Sequence, residues 1–188
     1  SVQADDLVRV SLDRALAAAA DRLTREDVEA LLGMPPVRAA LGLDLDDLAV
    51  VVASFEELGV RWGTDAGHRA RFAPGGTGDD PGDADDVPGD GTWRDARDRL
   101  AAGLLLHPDR HRVVGTPAGP LAPARLAADS FLPVAGRVTE AVDALMGLAG
   151  AAATSVPVAG WGRLTARLVG SLLRPDGRTA DATAWRSE

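Results

Sequence analysis

Between Thr24 and Gly59 the sequence marks both ends of two successive helices, and this constrains the fold more than any other feature. In "TREDVEALLG" Thr24 is a good N-cap, and Asp27 stands at the capping-box position, where its carboxylate reaches back to the cap amide. Val28, Leu31 and Leu32 supply a buried face, and Gly33 stops the helix. Pro35 and Pro36 restart a short helical turn through Val37 and Leu41. In "DLDDLAVVVASFEELG" Asp44 caps, and Asp46 and Asp47 favour the positive end of the helix dipole. Leu48, Val51, Val52, Phe55 and Leu58 form one stripe, and Gly59 suits the position after the helix. Aromatic residues are only 4% of the chain and Tyr is absent, so Leu, Val and Ala must fill the interior. Alternating β-branched runs are scarce. These signals predict an all-α, irregular multi-helix domain.

The rest of the chain fits that reading. "LVRVSLDRALAAAADRL" is an amphipathic helix, with Leu7, Val10, Leu12, Leu16 and Leu23 near helical spacing. "TWRDARDRLAAGLLL" is another, capped by Thr92, with Trp93, Ala96, Leu100 and Leu104 on one side. His107-Pro108 stops it, and the segment to Pro123 reads as irregular. A long helix is expected from Pro133, with Val134, Val138, Ala141, Val142, Leu145 and Leu148 inward. A last helix carries Trp161, Leu164, Leu168 and Leu172. The organisation is therefore an N-terminal helical part over 1–72, an acidic Gly/Pro/Asp loop over 73–91, a C-terminal helical part of the same domain over 92–175, and a tail over 176–188. The start lacks both Met and a signal-peptide pattern and looks cut from a longer chain, Met removal before Ser being the ordinary alternative.

Several chemistries are excluded or disfavoured. Without Lys there is no P-loop lysine, and "GGTGDD" lacks the flanking strand and helix of a phosphate cradle. Without Cys there is no disulfide framework or thiol catalysis. His68, His107 and His111 are too few and too scattered for a zinc site. The Asp cluster in the 73–91 loop lacks the twelfth-position Glu of an EF-hand. No apolar run nears the roughly 18 residues of a membrane span. The net charge of −8 makes free-standing binding to phosphate backbones unfavourable, though local Arg patches inside a larger complex could serve.

"GVRWGTDAGHRARF", residues 59–72, is the densest functional candidate. Val60 and Trp62 read as apolar residues in an extended connection, and Gly63 as a turn. Asp65 reads as the N-cap of a short helix, "AGHRARF", and as a partner for Arg61. On this reading Trp62 is a core plug and the polar residues fasten a corner. The competing reading has Arg61, Arg69 and Arg71 contacting nucleic acid while Trp62 stacks on bases.

The stretch resembles the Gly-Ile/Val-Arg-Trp-Gly-x-Asp-x-x-His-Arg motif of exodeoxyribonuclease V gamma subunits, the RecC-like chains of RecBCD-type helicase–nucleases. "DRLTREDVEALLGMPPVRAALGL", "GTWRDARDRLAAGLLL" and "PVAGWGRLTARLVGSLL" look like further segments of that family, in the same order. Thr64 stands where the family usually has Leu, and Gly91 where it has Asn. The resemblance implies a middle fragment, similar to the helical insertion domain of a superfamily 1 helicase-like subunit that has lost ATPase chemistry. It implies a non-catalytic part in DNA double-strand-break repair: scaffolding, strand guidance and subunit contact. The alternative is a protein–protein module without DNA contact. The implied partners are the beta and alpha subunits, and DNA within the complex, in the cytoplasm and with no membrane. No cofactor is expected in the chain itself, ATP and Mg being used by partner subunits. Arg61, Arg69, Arg94 and Arg97 are the nucleic-acid contact candidates. Trp62, Gly63, Asp65, Thr92 and Trp93 are the motif and structural positions.

Overall fold

A computed structural model describes residues 2–73, 87–106, 113–116, 119–124, 128–154 and 156–173. Most of the acidic loop, together with His107, His111 and the tail over 176–188, lies outside the described residues.

Among the described residues the fold is all-α apart from one small hairpin. The elements run α1 (Val2–Ala20), α2 (Arg25–Leu32), α3 (Pro35–Leu41), α4 (Leu45–Glu57), α5 (Ala66–Ala70), α6 (Trp93–Leu105), β1 (Val114–Thr116), β2 (Gly119–Leu121), α7 (Ala128–Ala152) and α8 (Val158–Leu172). The organising element is α7, which packs against α1, α3, α4, α6 and α8. Its sequence explains this placement. Phe131, Val134, Ala135, Val138, Ala141, Val142, Ala144, Leu145, Leu148 and Ala149 are all buried, so apolar residues cover most of its circumference. Among the described residues, no helix is long and apolar enough to cross a membrane.

The caps form as local chemistry dictates. Asp44 and Asp47 make a reciprocal capping box at the start of α4. Thr24 caps α2 by accepting the Asp27 amide at 3.2 Å, but the Asp27 carboxylate takes the Thr24 hydroxyl at 2.6 Å rather than a cap amide. Gly42 ends α3 in the left-handed conformation.

Four expectations need correction. The buried face of α1 is Ser11, Ala15, Ala18 and Ala19, while Val10 is exposed and Leu12 and Leu16 sit half-buried at its margin. The buried alanines lie on the side of α1 that joins the core, and Leu12 and Leu16 pack against its edge. The long helix begins at Ala128 and runs through Pro133. Burying Phe131 in the core keeps the turn before the proline helical, and Pro133 itself faces solvent. The segment before Pro123 is not irregular throughout: Val114 pairs with Leu121 and Thr116 with Gly119 in an antiparallel hairpin. Its strands are three residues each and contain two glycines and a proline, so no β-pattern announces them. Finally, the short helix after Asp65 stops at Ala70.

Candidate functional site

The two most distinctive stretches of the sequence, residues 59–65 and 91–95, dock onto each other. Arg61 N donates to Gly91 O at 2.9 Å, Trp93 N to Gly63 O at 3.0 Å, and Arg94 N to Thr64 O at 3.0 Å. The first amides of α6 would otherwise be orphans of a helix start. Here two of them go to carbonyls of the Arg-Trp-Gly segment and the third, on Asp95, to the Thr92 hydroxyl at 3.2 Å. Residues 22–25 close the corner from the other side. Gly63 N donates to Arg22 O at 2.8 Å, and Arg25 N to Arg61 O at 2.9 Å. Thr24 and Trp62 form an isolated antiparallel bridge between them.

Two glycines permit the close approach. Gly91 has φ +72°, and a Cβ there would stand 2.8 Å from Gly59 O. Gly63 has φ +82°, and a Cβ there would meet Arg69 Cγ at 2.9 Å.

The site candidates fall into distinct positions. Trp93 is the core plug: it is 2% exposed, meets Phe55 edge-on at 5.0 Å, and donates its indole N–H to Leu23 O at 2.8 Å. Trp62 is not; it is half-buried, with the Arg69 and Arg22 guanidiniums over its ring at 5.1 and 5.6 Å and Phe72 at its edge. The Trp62 ring is met by cations brought from α5 and from the end of α1, whereas Trp93 has a buried carbonyl to reach. Asp65 caps α5 through the His68 amide at 2.9 Å. Its ion pair is with Arg94 at 3.0 Å, not with Arg61, because the docked start of α6 delivers Arg94 to it. Arg61 is exposed. Arg97 is partly exposed and pairs with Asp143 of α7 at 3.2 Å.

Arg69, a contact candidate on sequence grounds, is only 8% exposed. It donates from Nε and Nη2 to Trp62 O, and from Nη1 to Pro88 O and Asp90 O, at 2.7 to 3.1 Å. Burial, and next the Arg61 charge, hold its pKa below the ordinary arginine value. Its donors are spent on fastening the chain where the acidic loop returns.

His68 is buried beside it, packed against Phe72 at 5.3 Å, and neither ring nitrogen has a hydrogen-bond partner. Burial, followed by the Arg71 charge, lowers its pKa below 6.5, against the opposing pull of Asp65 and Asp21. The folded chain therefore refuses a proton that the unfolded chain accepts. Stability is fully present above about 6.5 and falls as pH drops from there through the folded pKa. Thermal melts at about pH 7.5 and about pH 5.5 should show a smaller pH difference for His68→Leu than for the native chain. An unchanged difference would assign the loss to other groups.

Sequence reasoning missed Arg99 and Arg22. Arg99 donates from Nη1 to Leu58 O and from Nε to Ala122 O, tying the end of α4 to the strand exit. Arg22 covers both Trp62 and Phe72. Both lie in the stretches that carry the resemblance, but their partners are carbonyls and ring faces that no residue identity announces. Among the described residues, no three His, Asp or Glu side chains converge as metal ligands.

Two motifs mated through their backbones are the kind of signature that a whole-domain comparison can test. The family model for the RecBCD enzyme subunit RecC fourth domain matches residues 6–187. The chain belongs to that family. It is 33% identical to RecC of Mycolicibacterium smegmatis over 115 residues, which is 61% of this chain and 9% of that protein. RecC of Mycobacterium tuberculosis H37Rv is 27% identical over 146 residues, 78% of this chain and 12% of that protein. The RecC fourth-domain chain thus spans about a tenth of the length of these curated relatives.

Proposed function

We propose that this RecC fourth-domain chain is a non-catalytic helical part of a RecBCD-type helicase–nuclease, acting in DNA double-strand-break repair by scaffolding, subunit contact and strand guidance. It works beside the beta and alpha subunits, which use ATP and Mg, and brings no cofactor of its own. The observation that supports this most is how the motif residues spend their polar groups. The side chains of Thr92, Trp93, Asp65 and Arg69 bond to backbone groups, and Asp65 also pairs with Arg94, which is the work of a fastened corner. Arg61, Arg94 and Arg97 keep exposed guanidiniums and are the strand-contact residues of this reading. Arg69 serves by fastening.

The protein–protein alternative draws on exposed apolar side chains: Leu45, Leu105 and Val158 are 68%, 83% and 88% exposed, surface of a kind that assemblies cover. One experiment separates the readings. In the parent subunit, Arg94→Glu with Arg97→Glu should leave co-purification with the beta subunit intact and slow duplex unwinding. Full unwinding by that variant favours the pure protein–protein module. ATPase or nuclease turnover by the 188-residue chain alone overturns both.

A further inference from the structure

Arg61 stands between two clefts. The larger, about 600 Å³, is lined by Arg61, Arg69 and Arg99 together with Pro88, Gly91 and Pro120. The other, about 490 Å³, is lined by Arg22, Arg25 and Arg61 together with Val60 and Trp62. Gly59 and Arg61 belong to both. Gly59 leaves the divide without a side chain, with Arg99 Nη1 the nearest group at 3.7 Å from where a Cβ would stand.

Resting on the strand-guidance reading above, we propose that the two clefts form one continuous track for the phosphodiester backbone of a single nucleic-acid strand. The basic groups along it are rigidly mounted. Both backbone polar groups of Arg61 are bonded, to Gly91 O and from Arg25 N, so its exposed side chain projects from a fixed post. Arg99 is anchored through Nε and Nη1, and a guanidinium has five N–H donors, which leaves others for a ligand. Each cleft alone has the size of a small-molecule pocket, roughly 300–1,000 Å³, but the two share Gly59 and Arg61, which favours a ligand long enough to lie in both.

The aromatic group argues for the backbone as the part that is held. Single-strand binders usually stack bases on exposed rings. Here the Trp62 ring already carries the Arg22 and Arg69 guanidiniums, so a base would have to compete with them. Recognition is therefore electrostatic and independent of sequence. It is also weak. The same clefts hold Glu26, Glu56, Asp90 and Asp95, and of these Asp95 is engaged by the Gly91 amide at 3.0 Å. Five arginines against four carboxylates, on a chain of net charge −8, suit a strand that slides rather than one that is clamped.

Fluorescence anisotropy of labelled oligo(dT) with the full chain tests this, with folding of each variant checked by its helical circular dichroism. Arg61→Glu should weaken binding about tenfold at low salt and reduce the log–log salt slope by about 0.7. Arg61→Gln, which keeps the backbone bonds, should act in the same direction and more weakly. Arg9→Glu makes the same charge change on exposed α1, outside both clefts, and should bind like the native chain. Equal losses from Arg9→Glu and Arg61→Glu would mean a diffuse charge effect and no track. Losses from Arg94→Glu and Arg97→Glu with none from either Arg61 variant would overturn the track and leave strand guidance standing. A native chain that binds no oligonucleotide overturns the strand-guidance reading and the track with it.

Discussion

Trp93→Ala should destabilise the protein by about 3–5 kcal/mol, the usual range for removing a large buried aromatic side chain. Three losses combine. The indole fills the junction of α4, α6 and α7, where it meets Phe55 edge-on at 5.0 Å. Its N–H leaves the Leu23 carbonyl without a donor, and Leu23 is fully buried. Leu23 also holds φ +50°, an uncommon conformation for a bulky residue, which persists only because its surroundings over-determine it. Trp62→Ala removes a half-exposed ring whose neighbours are the Arg22 and Arg69 guanidiniums and Phe72, and about 1 kcal/mol is expected. Urea denaturation of both variants measures the contrast. Equal losses at the two tryptophans would show that the corner, not the helical core, carries the stability, and the assignment of Trp93 as plug would fail.

That contrast marks where the sequence was legible. Caps are chemistry within four residues, so Thr24, Asp44, Asp65 and Thr92 could be read in place, and each caps its helix. The inward stripe of α7 was legible because a helix surrounded by others leaves few positions polar. Trp62 and Trp93 are a different matter. Both sit in Gly-bounded, Arg-flanked contexts, and only the docking of one segment on the other decides which is inside. The Asp65 pairing turned on the same event, since Arg61 is near in sequence while Arg94 is near in space. The hairpin went unseen because Arg99 and a backbone bond from Ala124 N to Arg99 O hold its exit strand to α6, a tertiary cause with no local pattern. Arg69 was read as a contact residue because an arginine beside a tryptophan fits that chemistry. Its carbonyl partners, Trp62, Pro88 and Asp90, offer no residue type to search for.

Those carbonyls make Arg69 the second large-effect position. Arg69→Ala should cost about 3 kcal/mol or more, because it removes charge-assisted hydrogen bonds and strands acceptors that were shielded from water. Arg69→Lys should recover only part of the loss. One ammonium cannot span Trp62 O on one side and Pro88 O with Asp90 O on the other, which the planar guanidinium does. The structural consequence should be local before it is global. Residues 88–90 lose their tether, Gly91 loses its fixed approach to Gly59, and the amides of Trp93 and Arg94 lose register with Gly63 O and Thr64 O. Hydrogen exchange at the Trp93 and Arg94 amides should therefore quicken more in Arg69→Ala than exchange in the middle of α7 does. A lysine variant as stable as the native chain, or exchange that rises uniformly, would reduce Arg69 to a generic buried cation. Because the Arg61 amide bonds to Gly91 O, a loosened 88–91 segment also frees the post on which the exposed Arg61 stands. Arg69→Ala should then weaken oligo(dT) binding although Arg69 itself is buried, whereas a change at Arg94 should leave that post in place.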